Sequence, residues 1–133
     1  MRYLLDTNIC IAILKAGNQK VINRFLSEQP YNISVCSIVK AELFYGACKS
    51  HNRDKNLEKL SEFFNLFHSF SFDDDTAEIY GDIRADLSSK GTPIGPNDLI
   101  IASIALQNSL ILVTHNTREF ERVGGLRLED WES

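Results

Sequence analysis

Leu110-Ile111-Leu112-Val113 is an unbroken run of aliphatic residues. A strand with one face in water alternates apolar and polar positions, so a run without alternation suits a strand covered on both sides. The rest of the chain has to supply that cover. Residues 2–5 read as a short buried strand that turns at Asp6-Thr7-Asn8 into a helix over residues 9–15. Ala16-Gly17-Asn18 stops it, and Val21, Ile22, Phe25 and Leu26 then share one face of a helix over residues 19–27. Pro30 blocks continuation and residues 32–35 form a second strand, with Ser37 expected as the N-cap of the helix that follows. Leu57, Leu60, Phe63 and Phe64 mark a helix over residues 54–65, and Ser69-Phe70-Ser71-Phe72 alternates as a third strand. Asp73-Asp74-Asp75 is expected to cap a helix over residues 76–89 that Gly91 ends, and Asn97 to cap the next one. A turn over residues 114–120 and a terminal strand over residues 126–128 close the chain. Strands alternating with helices predict a three-layer α/β/α domain around a mainly parallel sheet.

A chain of 133 residues, 44% hydrophobic and 24% charged, fits one domain over residues 1–133 with a single core and excludes wholesale disorder. The longest apolar stretch is broken too early to span a bilayer, and Met1-Arg2-Tyr3-Leu4-Leu5-Asp6 is too short for a signal peptide, so a cytoplasmic protein is expected. Cys10, Cys36 and Cys48 show no Cys-x-x-Cys spacing and read as small buried hydrophobes. His51, His68 and His115 have no zinc-like spacing, so no structural zinc is expected. A net charge of −4 argues against binding nucleic acid by bulk charge. Lys49, His51, Arg53, Lys55 and Lys59 nevertheless cluster in one segment, either a solvated helix face or a patch that tracks phosphates.

Four carboxylates interrupt this pattern. Asp6 ends the first apolar run, Glu42 sits inside an apolar helical stretch, and Asp98 opens the run Leu99-Ile100-Ile101-Ala102. Glu119 lies in a mixed-charge segment and is the least distinctive. Each has an ordinary explanation: an Asx-turn or N-cap for Asp6, a helix-dipole gain of roughly 0.3–1 kcal/mol for Asp98. Taken together they ask for another. Two unit charges about 5 Å apart repel by roughly 3 kcal/mol at an effective dielectric near 20. Acids converging on one pocket call for a cation, and oxygen donors suit Mg²⁺ or Mn²⁺. In open α/β sheets the converging place is beyond the carboxyl ends of the strands. Asp6 and Thr114-His115-Asn116 would meet there if their strands are neighbours.

Leu5-Asp6-Thr7-Asn8, Ala41-Glu42-Leu43, Pro96-Asn97-Asp98-Leu99-Ile100-Ile101-Ala102 and Thr114-His115-Asn116-Thr117-Arg118-Glu119-Phe120 resemble the successive motifs of PIN-domain ribonucleases. Gly125-Leu126-Arg127-Leu128-Glu129-Asp130-Trp131 further resembles the VapC toxins of bacterial toxin–antitoxin pairs. The resemblance implies a PIN-like fold and Mg²⁺- or Mn²⁺-dependent endoribonuclease activity. It implies Asp6, Glu42 and Asp98 as metal-binding acids, with Glu119 at the position of a fourth. Thr7, Asn8, Thr114 and Asn116 would orient these groups or the substrate, and Lys49, Arg53 and Lys55 would meet the RNA backbone. A cognate VapB antitoxin, homodimerisation and structured RNA such as tRNA are also implied. Many PIN domains carry an aspartate where this chain has Asn116, so a second metal would be held less firmly.

The chemistry expected is in-line attack of a water on an RNA phosphodiester, polarised by the ion, with Glu42 or Glu119 orienting the water or taking its proton. Two rivals are weaker on the residues. An aspartyl-phosphate phosphatase wants a second Asp where Asn8 stands, and a receiver-like domain wants a Lys after the last strand. A non-catalytic RNA- or partner-binding module has no need of uncompensated carboxylates. The aromatic stretch over residues 63–72 is read as core, part of it available to a partner groove.

Overall fold

The computed structural model describes residues 2–133; Met1, which the single-domain expectation includes, lies outside the described residues. Five short strands form one sheet: β1 (Tyr3–Leu5), β2 (Ile33–Cys36), β3 (His68–Phe70), β4 (Ile111–Val113) and β5 (Arg127–Glu129). Their order is β3-β2-β1-β4-β5 and every pairing is parallel. The connections are α1 (Thr7–Leu14), α2 (Gln19–Ser27), α3 (Ser37–Cys48), α4 (Arg53–Phe64), α5 (Asp74–Ser89), α6 (Pro96–Gln107) and α7 (Thr117–Phe120). The helices flank the sheet on both sides, so the α/β/α expectation holds, with a sheet parallel throughout.

Hydrophobic burial explains why the central strands lack alternation. Leu4, Leu5, Val35, Leu112 and Val113 are fully buried, and a buried Leu or Val stabilises the fold by about 1.5–3 kcal/mol relative to an exposed one. The edges read differently. Along β3, His68 and Ser69 are exposed, and on β5 only Leu128 and Glu129 are half-buried. The chain moves outward from β1 to β2 to β3, then crosses back to β4 and β5, so the strand order reverses between β1 and β4. That reversal opens a crevice at the carboxyl end of the sheet, where such folds bind ligands. Asp6 and Thr114 stand at its two walls, tied by the Asp6 N–H donating to Val113 O at 3.1 Å.

Several local expectations are corrected. Ser37 is the first helical residue of α3 and Cys36 the cap, because β2 runs into the helix with no linker. Gly95 caps α6, not Asn97: Pro96 has no N–H to satisfy and its fixed φ suits the first helical position. Residues 117–120 form a helical turn. Cys10 and Cys36 are buried, but Cys48 is exposed, at the end of α3 where the helix leaves the core. Asp73 does cap α5, accepting from Thr76 N–H at 2.9 Å. In the aromatic stretch Phe63 and Phe64 are core, whereas Leu66 and Phe72 are exposed.

Candidate active site

Asp6 is placed by the end of β1. The strand leaves it as the N-cap of α1, and its Oδ1 accepts the Ile9 N–H at 2.9 Å. Only 7% of the residue is exposed, a depth at which an uncompensated carboxylate is costly. Burial pushes its carboxyl upward; the Thr114 hydroxyl and the Ile9 amide oppose this, and the charges of Glu132 and Glu42 add to the rise. The ordinary reading of Asp6 as a cap is therefore true and incomplete, since a cap needs neither burial nor neighbouring acids.

Glu42 approaches from α3, half-buried, and accepts from the Thr7 hydroxyl at 3.1 Å. Thr7 thus orients one acid from the residue next to another. Asp98 arrives in the first turn of α6. Burial, the facing Glu119 and the more distant Asp6 and Glu42 raise its carboxyl to about 6. Glu119 comes from α7. Burial pushes it up, but the Gly95 N–H at 2.9 Å, the Asn116 amide at 2.7 Å and the facing Asp98 outweigh this and hold it below the usual glutamate range. Between Asp98 and Glu119, Asp98 is the member that keeps the proton.

All four sequence-chosen acids thus face one crevice from four elements: Glu42 is felt by Asp6, and both are felt by Asp98. Their packing stays open: no three bring carboxylate oxygens within 4.8 Å of one another, and the one group that does among the described residues is His115, Asp130 and Glu132 on the adjoining strand end. The donor set fits a hard divalent cation: it is all oxygen, and two of its carboxyls are displaced upward by burial and mutual repulsion, a cost that positive charge removes.

The other expected site residues divide. Thr114 is fully buried between Asp6 and the Asn116 N–H, which donates to its Oγ1 at 3.0 Å. Asn116 spends its amide on Glu119. Asn8 is exposed, and no hydrogen bond joins its side chain to the acids. Lys49 lies over the Tyr45 ring and Arg53 pairs with Asp54 at 3.3 Å, while Lys55 is exposed. Lys49 is seven residues beyond Glu42 along α3, about 10 Å at the helical rise. Two contributors were missed by sequence reasoning. Gly95, whose N–H anchors Glu119, has its Cβ position 3.8 Å from both Asp98 Oδ2 and Glu119 Oε1. The Thr92–Asn97 loop marked the place but not the role. Glu132, whose charge reaches Asp6, carried no sequence signal.

A model of the PIN domain family matches residues 3–126. The chain is 44% identical over 131 residues to the tRNA(fMet)-specific endonuclease VapC of Shigella flexneri, covering 98% of each. Its fold is similar to VapBC from Salmonella typhimurium, solved bound to DNA, with a TM-score of 0.91 at 40% identity over 98% of both chains. It is likewise similar to VapBC2 from Rickettsia felis, bound to a DNA fragment from their promoter: TM-score 0.90, 39% identity, 98% of this chain and 99% of that one.

Proposed function

The chain belongs to the PIN-domain family and within it to the VapC ribonucleases, and from that premise we propose that it is the toxin of a toxin–antitoxin pair: an Mg²⁺-dependent endoribonuclease that hydrolyses a phosphodiester bond of tRNA and is neutralised by a VapB-type antitoxin. The observation that carries the reading is the convergence of Asp6, Glu42, Asp98 and Glu119 on the crevice between β1 and β4, where burial and the other acids raise the Asp98 carboxyl to about 6. Nucleases of this family are metal-dependent, and such a site has a use for acids that cost stability when bare.

Asp6, Asp98 and Glu42 would hold the ion, with Mn²⁺ able to replace Mg²⁺. When bound, the ion supplies Lewis-acid polarisation of the phosphoryl oxygen and a lowered pKa for a nearby water. The protein's own part is positional. Thr7 keeps Glu42 turned into the crevice, and Thr114 favours the charged form of Asp6. Glu119, held ionised by Gly95 and Asn116, stands beside Asp98 to orient the attacking water and take its proton; Glu42 is the other acid within the crevice able to do so. Lys49, Arg53 and Lys55 steer the RNA backbone along α3 and α4. With Asn116 bringing no charge, one firmly held ion is favoured over two. Residues 1–133 work as one domain in the cytoplasm, paired as a homodimer; no helix among the described residues is long and apolar enough to cross a membrane.

The test is cleavage of purified tRNA with and without Mg²⁺. Loss of several kcal/mol of transition-state stabilisation predicts that Asp98→Asn and Asp6→Asn lower the rate by about a thousandfold or more while far-UV circular dichroism is unchanged. Full Mg²⁺-dependent activity in either variant refutes the assignment.

A further inference from the structure

His115, Asp130 and Glu132 adjoin the four acids, with Glu132 near enough for its charge to reach Asp6, but none of the three has a role in the proposed reaction. Sequence spacing hides them, because they are 15 and 17 residues apart from the histidine and leave no local ligand signature. The sheet brings them together. In the β4–β5 pairing Val113 is opposite Glu129, and the Thr114 N–H donates to Glu129 O at 3.0 Å. Asp130 directly follows β5 and His115 stands two residues beyond β4, and across this pairing their side chains meet, Nδ1 to Oδ2 at 3.1 Å. Trp131 is buried and packs edge-on against Tyr3, with ring centroids 5.5 Å apart, which fixes the backbone between Asp130 and Glu132.

Each acid has one oxygen anchored and the other free to converge. Asp130 Oδ1 accepts the Glu132 N–H at 2.9 Å, and its Oδ2 lies 3.1 Å from His115 Nδ1. Glu132 Oε1 accepts from the Asn18 amide, on a distant turn, at 3.0 Å, and its Oε2 lies 3.4 Å from the same nitrogen. The three donor atoms fall within 4.8 Å of one another. A tetrahedral ion with bonds of about 2.1 Å holds its donors roughly 3.4 Å apart, and the imidazole nitrogen already lies 3.1 and 3.4 Å from the two carboxylate oxygens. Outer partners that orient ligands in this way are a recurring part of metal sites. We propose that His115, Asp130 and Glu132 form a second divalent-metal site, selective for a zinc-class ion over Mg²⁺ because one donor is an imidazole nitrogen.

The proposal does not rest on the nuclease reading and can fail separately from it. Zn²⁺ is titrated calorimetrically into the full chain carrying Cys48→Ser, which removes the exposed thiol, and Asp98→Asn, which weakens the crevice. One Zn²⁺ site is expected to remain, with Zn²⁺ shifting an imidazole nitrogen resonance that His115→Ala deletes. His115→Ala and, independently, Glu132→Gln should each weaken this site at least tenfold, and millimolar Mg²⁺ should not displace the ion. Unchanged Zn²⁺ affinity in both variants, or imidazole resonances that ignore Zn²⁺, shows an ion pair only and overturns the site.

Discussion

Asp6 and Asp98 serve the same crevice and are held in opposite ways. Asp6 is built into the backbone: it caps α1 through the Ile9 N–H, meets the Thr114 hydroxyl and is almost wholly buried. Asp98 is half-exposed at the head of α6, and among the described residues its side-chain partner is another acid, Glu119. The backbone and hydroxyl bonds of the first position support the fold and offset part of the cost of burying its charge. The second weakens the bare protein. Charge at the β1 corner is partly offset by local bonds and at the α6 rim is not, a division that the four acids taken as one set conceal.

The widest gap between the two regions should appear through their supporting residues. Thr7→Val removes the hydroxyl that holds Glu42, and losses of this kind typically cost 10–100-fold in metal affinity or activity. A Mg²⁺ titration of the cleavage rate would show it; an unchanged titration curve means that Glu42 needs no orientation.

A smaller contrast is expected in stability at neutral pH. Asp6→Ala loses the cap and should cost about 1 kcal/mol, whereas Asp6→Asn keeps a good capping residue and should cost much less. Asp98→Asn should do the reverse and raise Tm in the metal-free protein. Its sign follows from linkage. The carboxyl lies near 6 in the folded chain against an ordinary 3.8, so the native state holds the proton more tightly. The penalty is absent below about pH 4, grows between the two values and is complete above pH 6. The gain from Asp98→Asn should vanish on acidification and shrink when Mg²⁺ is added to the wild type. A gain that persists unchanged at pH 4 would place its cause elsewhere.

The smallest effect belongs to the basic segment. Lys49, Arg53 and Lys55 have no hydrogen bond to the four acids, and removing one phosphate-binding side chain should lower the salt dependence of RNA binding by about one charge. Binding measured from 50 to 200 mM salt for Lys55→Ala would detect it, and an identical slope removes that residue from the RNA path.

The sequence by itself determined the layers and most of the crevice. Unalternating runs such as Leu110 to Val113 can only be satisfied between two covers, and acids after or within apolar segments declare themselves because burial makes them expensive. Asp6, Glu42 and Asp98 were legible for that reason; Glu119 was legible chiefly through its place after β4. Caps were misassigned at Ser37 and Asn97 because any small polar residue near a helix start looks equivalent before the backbone path is known. Only the tertiary structure decided that the reversal of strand order falls between β1 and β4, that a glycine amide anchors Glu119, and that His115 faces Asp130 and Glu132. These are consequences of register and crossover, long-range pairings whose geometry no local pattern of residues encodes.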